Sequence, residues 1–268
     1  MTVAALQMTS GTDAAANVAT ARRLLGEAAA AGARVALLPE NFALMARRSA
    51  DRQAIAETHG DGPIQAALAA AARGLGIWVI AGTLPLRVPG ETRVAAATLV
   101  YDDSGREVAR YDKIHLFDVD VPGADESHRE SAGLCAGRRV VSVDTPVGRV
   151  GLAICYDIRF PELFRQLSSE GATWFVLPAA FTVPTGRAHW EVLLRARAIE
   201  NLAGLVAAGQ WGRHDNGRET YGDSLVVDHW GRVLARRPEG EGVVVATFDP
   251  EAQREARTAF PALTHRVL

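Results

Sequence analysis

The chain has 268 residues, 48% apolar and 22% charged, with a formal net charge of −2. That apolar share is ample for a core and excludes a disordered or low-complexity chain. With no long Lys/Arg block there is no electrostatic footprint for nucleic acid or an anionic membrane, so small molecules are the expected partners. The opening MTVAALQMTSGTD lacks the basic start and apolar run of a signal peptide, and no stretch of about 18 apolar residues occurs, so a cytoplasmic location is expected. Cys135 and Cys155 are too few for a disulfide framework and lack zinc spacing, and the histidines are scattered. Free thiols and no metal site are therefore expected.

In chain order, Val3 to Met8 reads as a strand. Asp13 then caps a long Ala/Leu/Arg helix that Gly32 closes, and Arg34 to Leu38 is a buried second strand. This β-α-β unit predicts parallel pairing. The pattern recurs: Pro63 opens an Ala-rich helix ending near Gly74 and Gly76, and IWVIAGT supplies the next buried strand. Val94 to Tyr101, the DDSG turn and Glu107 to Asp112 predict an antiparallel hairpin, which makes the sheet mixed.

A second cycle follows. It has strands RVVSVD and RVGLAIC, a helix from Pro161 to about Glu170 stopped by Gly171, strand TWFVLP, a helix from about His189 to Asn201, a strand near LVAAG, and hairpin strands DSLVVD and RVLAR. On the helix HWEVLLRARAIEN, Val192, Leu193, Ala196 and Ile199 share one broad face, and Glu191 and Arg195 stand at i,i+4 spacing. Lys113 to Arg138 has little periodicity and is long for a loop, which signals function or mobility. With no Pro/Ser-rich linker between the halves, the chain reads as one compact α/β domain, residues 1–268, of two packed sheets flanked by helices.

Cys155 ends the apolar run VGLAIC and precedes YDIRFPEL, a strand-to-helix transition from which a nucleophile would project beside backbone N–H groups. Equally, free cysteine is among the most buried residue types, and both Cys155 and Cys135, in GLCAG, fit that plainer role. Glu40, in VALLPENF, follows a buried strand, where α/β proteins place their sites; a solvated loop acid fits as well. Lys113, in RYDKIHLFD, follows a strand and otherwise reads as a surface lysine. A thiol needs a base, its leaving group an acid and a tetrahedral oxyanion a cation, and these three residues supply all three roles without histidine. A Cys-His-Asp arrangement using His115 or His189, and a binding domain without catalysis, are the alternatives from the residues alone.

LPENF around Glu40, YDKIHLFDVDVPG around Lys113 and GLAICYDIRFPEL around Cys155 resemble, in order and spacing, the nitrilase superfamily of carbon-nitrogen hydrolases. The resemblance covers nearly the whole chain. TGRAHWEVLLRARAIEN followed by YGDSLVVDHWG is most similar to the branch of deaminated-glutathione amidases, with omega-amidases next and N-carbamoyl hydrolysis a further possibility. It implies a four-layer α-β-β-α sandwich, Glu40 as acid and base, Lys113 as oxyanion stabiliser with the Tyr156 N–H, Cys155 as nucleophile, and no cofactor. Glu130, in HRESAGL, matches the second active-site glutamate that steadies the lysine. A 2-oxoglutaramoyl peptide substrate carries carboxylates, for which Arg159 and Arg187 are candidates. Arg159 fits as well as a brace paired with Asp157 or Glu162. Phe42, Phe181 and Thr182, on loops at strand ends, are candidate pocket walls or core. The resemblance also implies a homodimer built on the RFPEL and HWEVLLRARAIEN helices. The family often continues beyond the HR near the C-terminus with a basic, tyrosine-containing tail, whereas this sequence stops at HRVL, so contacts made by such a tail are not expected.

Overall fold

The computed structural model describes residues 1–121 and 127–267. Pro122 and Gly123 of the YDKIHLFDVDVPG motif, part of the Lys113 to Arg138 segment, and the final leucine of HRVL lie outside the described residues.

Two mixed sheets form the centre. Three parallel strands, Thr2–Gln7, Val35–Leu37 and Trp78–Ile80, make the middle of the first, and Gly148–Leu152, Trp174–Ala179 and Gly204–Gly209 make the middle of the second. Antiparallel strands extend both. Val94–Tyr101 carries Glu107–Asp112 in the first, and Ser224–Val227 with Val233–Arg237 extends the second. In the first parallel strand Val3 and Ala5 point into the inter-sheet core with Leu37, Val150, Leu152 and Val176. Ala4 and Leu6 point the other way, against Leu24 and Leu25 of helix Ala14–Ala30 and Leu68 of helix Pro63–Leu75. Both faces of these strands are covered, which is why they read as continuous apolar runs rather than alternating ones. Each large side chain so buried contributes roughly 1.5–3 kcal/mol. Helices Pro161–Ser169 and Val183–Asn201 cover the second sheet through Leu163, Phe164, Leu167, Trp190 and Leu194, completing four layers, α-β-β-α.

Asp13 caps its helix through Ala15 N and Ala16 N, and Gly76 ends Pro63–Leu75 in the left-handed conformation, as the sequence predicts. Several expectations are corrected. The helix assigned to begin near His189 starts at Val183, because Pro184 sits in its first turn, where the missing N–H costs nothing. Its buried face is Trp190, Leu194, Arg197, Ala198 and Asn201, while Val192 and Ile199 are exposed. The Trp190 Nε1–H donates to the Asp223 carbonyl at 2.8 Å, and the Arg197 Nε–H donates to the Ile158 carbonyl at 2.9 Å, fixing the helix rotation.

The strand read as RVGLAIC ends at Leu152, and Cys155 lies in a 3-10 turn, Cys155–Arg159. Lys113 to Arg138 is not one irregular loop. Asp118–Asp120 pairs with Ser127–Arg129, and Leu134–Cys135 pairs in parallel with Val94–Ala95, so Cys135 belongs to the first sheet. Strand Gly242–Thr247, which pairs antiparallel with Thr2–Gln7, and helix Pro250–Ala259 are not foreshadowed by the periodicity.

Candidate active site

Glu40, Lys113 and Cys155 all lie just past strand ends, and the topology brings those ends together. Lys113 is completely buried; its Nζ donates to Glu40 Oε1 and to Glu130 Oε2, each at 2.8 Å. Glu130 Oε2 also accepts from the Phe117 N–H at 2.8 Å, which anchors the carboxylate independently of the lysine. Cys155 is buried in the wall of a cavity of about 290 Å³ shared with Glu40, Glu130, Phe117, Tyr156, Arg159, Ala180, Phe181, Thr182, Thr185 and Arg218.

The electrostatics follow from burial and pairing. Burial alone pushes the Lys113 ammonium down, but the Glu130 and Glu40 carboxylates outweigh it and hold its pKa above the ordinary lysine value. Burial likewise pushes Glu130 up, and the neighbouring Lys113 charge prevails, leaving its carboxyl below the ordinary range. The Cys155 thiol is pushed well above its ordinary value, first by burial and then by the Glu40 carboxylate, against which Lys113 and a backbone hydrogen bond from Ala180 act. The resting thiol is therefore protonated at neutral pH.

Two turns hold this geometry. After Glu40 the backbone turns through Asn41, at φ +57°, whose N–H donates to Thr83 Oγ1 at 2.7 Å. Gly82 packs on the same turn, where an added Cβ would lie 2.0 Å from the Pro39 carbonyl oxygen at φ +41°. Gln210, fully buried at the end of Gly204–Gly209, accepts from the Ser10 N–H at 3.0 Å and donates to the Ser10 hydroxyl at 2.7 Å and the Glu40 carbonyl at 3.0 Å. Cys155 itself sits at φ +46°, a sparsely populated region for a residue with a side chain. Its turn is fixed by fully buried Asp157. That carboxylate accepts from the Ile154 N–H at 2.8 Å, the Tyr111 hydroxyl at 2.7 Å and the His115 N–H at 3.1 Å, with His115 Nδ1 at 2.7 Å.

Of the residues singled out from the sequence, Glu40, Lys113, Glu130 and Cys155 converge, and Tyr156, Arg159, Phe181 and Thr182 line the same cavity. Phe42 does not. The turn at Asn41 sends its ring into the core between the first sheet and its helices, where it is completely buried. Arg159 braces neither Asp157 nor Glu162 among the described residues; it contacts His189 Nδ1 at 3.2 Å and lies over the Tyr156 and Phe181 rings. Arg187 lines a separate surface groove with Trp211, Arg213 and Arg236. His115 is engaged by Asp157 and stacked on Phe160, and neither it nor His189 lines the Cys155 cavity. Asp157, Gln210 and Arg218 do not stand out from the sequence because their partners are distant in the chain, and Thr185 and Arg52 because only the fold brings them to the cavity walls. Among the described residues no helix is long and apolar enough to cross a membrane, and no group of three His, Cys, Asp or Glu is placed to hold a metal ion.

Residues 2–258 match the carbon-nitrogen hydrolase family. The deaminated glutathione amidase of Yersinia enterocolitica is 39% identical over 265 residues, covering 98% of this chain and 92% of that one. The deaminated glutathione amidase of Homo sapiens is 40% identical over 267 residues, covering 98% of this chain and 81% of that one. Among solved structures, the Caenorhabditis elegans NitFhit protein superposes with a TM-score of 0.92 at 37% identity, over 99% of this chain but only 65% of that longer one. Saccharomyces cerevisiae Nit3, described as a member of branch 10 of the nitrilase superfamily, gives 0.90 at 27% identity, over 100% of this chain and 97% of that one. A sandwich with two buried carboxylates gripping one lysine beside a cysteine is thus found in a chain whose relatives are amidases along its whole length: it belongs to the carbon-nitrogen hydrolase family of the nitrilase superfamily and is an amidase.

Proposed function

We propose that this amidase cleaves deaminated glutathione to 2-oxoglutarate and Cys-Gly through a thioester on Cys155. The observation that carries the mechanism is the Lys113 ammonium held between Glu40 and Glu130, whose side chains line the Cys155 cavity. The relatives named deaminated glutathione amidase, at about 40% identity, support the choice of substrate.

In this scheme Cys155 Sγ attacks the amide carbon while Glu40 takes the thiol proton. Because the thiol's pKa is raised, deprotonation accompanies attack rather than preceding it. The carbonyl oxygen becomes an oxyanion met by Lys113 Nζ and the Tyr156 N–H. Collapse breaks the C–N bond as Glu40 returns its proton to the departing amine. Water then gives a proton to Glu40 and attacks the thioester; the C–S bond breaks, releasing the acid, and the thiolate recovers the proton. Glu130 acts as a positioning residue for Lys113, while Arg159, Phe181 and Thr182 shape the acyl side. No metal or cofactor enters the scheme.

The chain acts as one domain, residues 1–268, since both sheets contribute side chains to the site. It works in the cytoplasm, a reading supported by two free thiols, and takes a small-molecule substrate rather than nucleic acid. It pairs as a homodimer. Val192 and Ile199 on Val183–Asn201, exposed at 69% and 48%, together with Trp230 at 51%, supply apolar surface for that contact.

The test is kcat/KM for deaminated glutathione, intact glutathione and 2-oxoglutaramate with purified protein, because that ratio measures differential transition-state binding. Deaminated glutathione should lead. Equal turnover of intact glutathione would remove the 2-oxo acid reading, and a lead by 2-oxoglutaramate would make the enzyme an omega-amidase.

A further inference from the structure

A second cavity, of about 370 Å³, lies beside the first and shares its Glu40 and Glu130 walls; it is lined further by Asn41, Leu44, Thr83 and Arg52. Two arginines flank the shared carboxylates, Arg218 in the Cys155 cavity and Arg52 in its neighbour. Neither is neutralised. Arg52 has no ion pair or hydrogen bond among the described residues, and of the three carboxylates within its electrostatic reach Glu130 and Glu40 are held by Lys113 and Asp51 by Arg48. Arg218 is tethered by Nη2 to the Ala180 carbonyl at 2.6 Å, yet its Nε is buried with no partner. A buried guanidinium N–H left unsatisfied costs free energy unless a ligand supplies an acceptor.

The pair is also held in place. Asn216 Oδ1 accepts from the Arg218 N–H at 2.9 Å, while Asn216 Nδ2 donates to the Met45 and Ala46 carbonyls at 3.2 and 3.0 Å. One side chain thus ties the loop of Arg218 to the segment leading into helix Ser49–Ile55, which carries Arg52. Burial is the largest influence on the Arg52 guanidinium, pushing its pKa down, followed by Glu130, the like charge of Arg218 and Glu40. Arg52 and Arg218 are within electrostatic reach of each other, and together with Lys113 they outnumber Glu40 and Glu130, so the wall shared by the two cavities is electropositive.

The two cationic positions serve different ends of a substrate. Arg159 belongs to the Cys155 turn, where the acyl group becomes attached. Arg52 lies on the far side of Glu40 and Glu130, and in the scheme above the departing amine must take its proton from Glu40. We infer that Arg218 and Arg52 form a clamp for a carboxylate carried by the leaving amine, so that this site selects amides of amino acids or short peptides over amides that release ammonia. The inference rests on the proposed function and sharpens it: the acyl group alone does not define the substrate.

The experiment uses three substrates with the same 2-oxoglutaramoyl group, joined to a dipeptide with a free C-terminal carboxylate, to that dipeptide's C-terminal amide, and to ammonia. The wild type should favour the free carboxylate over its amide by about 10- to 100-fold in kcat/KM, the range of one or two charge-assisted hydrogen bonds. Arg218→Met and Arg52→Met should each bring that ratio towards one, chiefly through KM, as expected for binding shared by ground and transition states. Arg218→Lys should keep part of it. Arg52→Met lies on a short surface helix and guards against a folding defect at Arg218. A wild-type ratio near one, or variants that retain the wild-type ratio, would overturn the clamp while leaving the amidase reading intact. Failure of the wild type on all three would instead overturn the proposed substrate, and the clamp with it.

Discussion

Glu40 and Cys155 arrive from equivalent places in the two sheets, each just beyond a short parallel strand and each at a turn with positive φ, at Asn41 and at Cys155 itself. The turns are held by opposite chemistry. The Glu40 turn hangs on neutral donors and acceptors, Thr83, Gln210 and Ser10, and on the absence of a side chain at Gly82. The Cys155 turn hangs on a single buried carboxylate, Asp157, serving Ile154, Tyr111 and His115. The Glu40 turn rests on a frame of many small contacts, whereas the strained Cys155 backbone is pinned by one buried carboxylate that no neutral side chain replaces.

The largest expected effect separates the two cysteines. Cys155→Ala should lose about 10⁴-fold or more in kcat with the circular dichroism spectrum unchanged, because no thioester can form. Cys135→Ala, in an edge strand of the first sheet, should retain most activity. Comparable losses in both would remove Cys155 from its role.

Next comes stability. Asp157→Asn turns one acceptor oxygen into a donor facing the Tyr111 hydroxyl or the Ile154 N–H, and should cost about 2–4 kcal/mol in urea unfolding, since each buried group left unpaired costs about 1–3. Gln210→Ala should cost less, about 1–3 kcal/mol, because its hydrogen bonds are neutral. If Gln210→Ala proves the more damaging, the contrast between the turns is wrong.

The smallest effect is a shift along the pH axis. With the thiol raised above its ordinary 9.0, alkylation of Cys155 by iodoacetamide should be slow at neutral pH and climb only in the alkaline range. Glu40→Gln removes a charge that opposes the thiolate, so its profile should move to lower pH. Lys113→Met removes a charge that favours the thiolate, so its profile should move up. Profiles shifting the opposite way, or not at all, would detach those charges from the thiol.

Glu40 and Cys155 were legible because each follows a strand whose apolar run is plain, and Lys113 because it follows the second strand of a recognisable hairpin, so topology gathers them. What holds them was not. Asp157 and Gln210 look like ordinary polar residues until the fold places Tyr111 beside one and Ser10 beside the other. For Phe42 the sequence left pocket wall and core both open, and the left-handed turn at Asn41 just before it accompanies the core outcome. The helix placed from about His189 in fact begins at Val183, since proline is tolerated in a first turn and Gly186 leaves room for the Tyr221 ring, which an added Cβ would meet at 2.1 Å.

The pairing of Thr2–Gln7 with Gly242–Thr247 has a consequence for synthesis. Strand Thr2–Gln7 keeps one open edge until Gly242–Thr247 has emerged from the ribosome, so the sheet that presents Glu40 cannot close before then. Contacts spanning that much sequence slow folding, and an unpaired apolar edge invites association with other nascent chains. Ribosome-bound chains halted before residue 242 should therefore expose Thr2–Gln7 to proteolysis and chaperone capture, and those halted well past residue 247 should protect it.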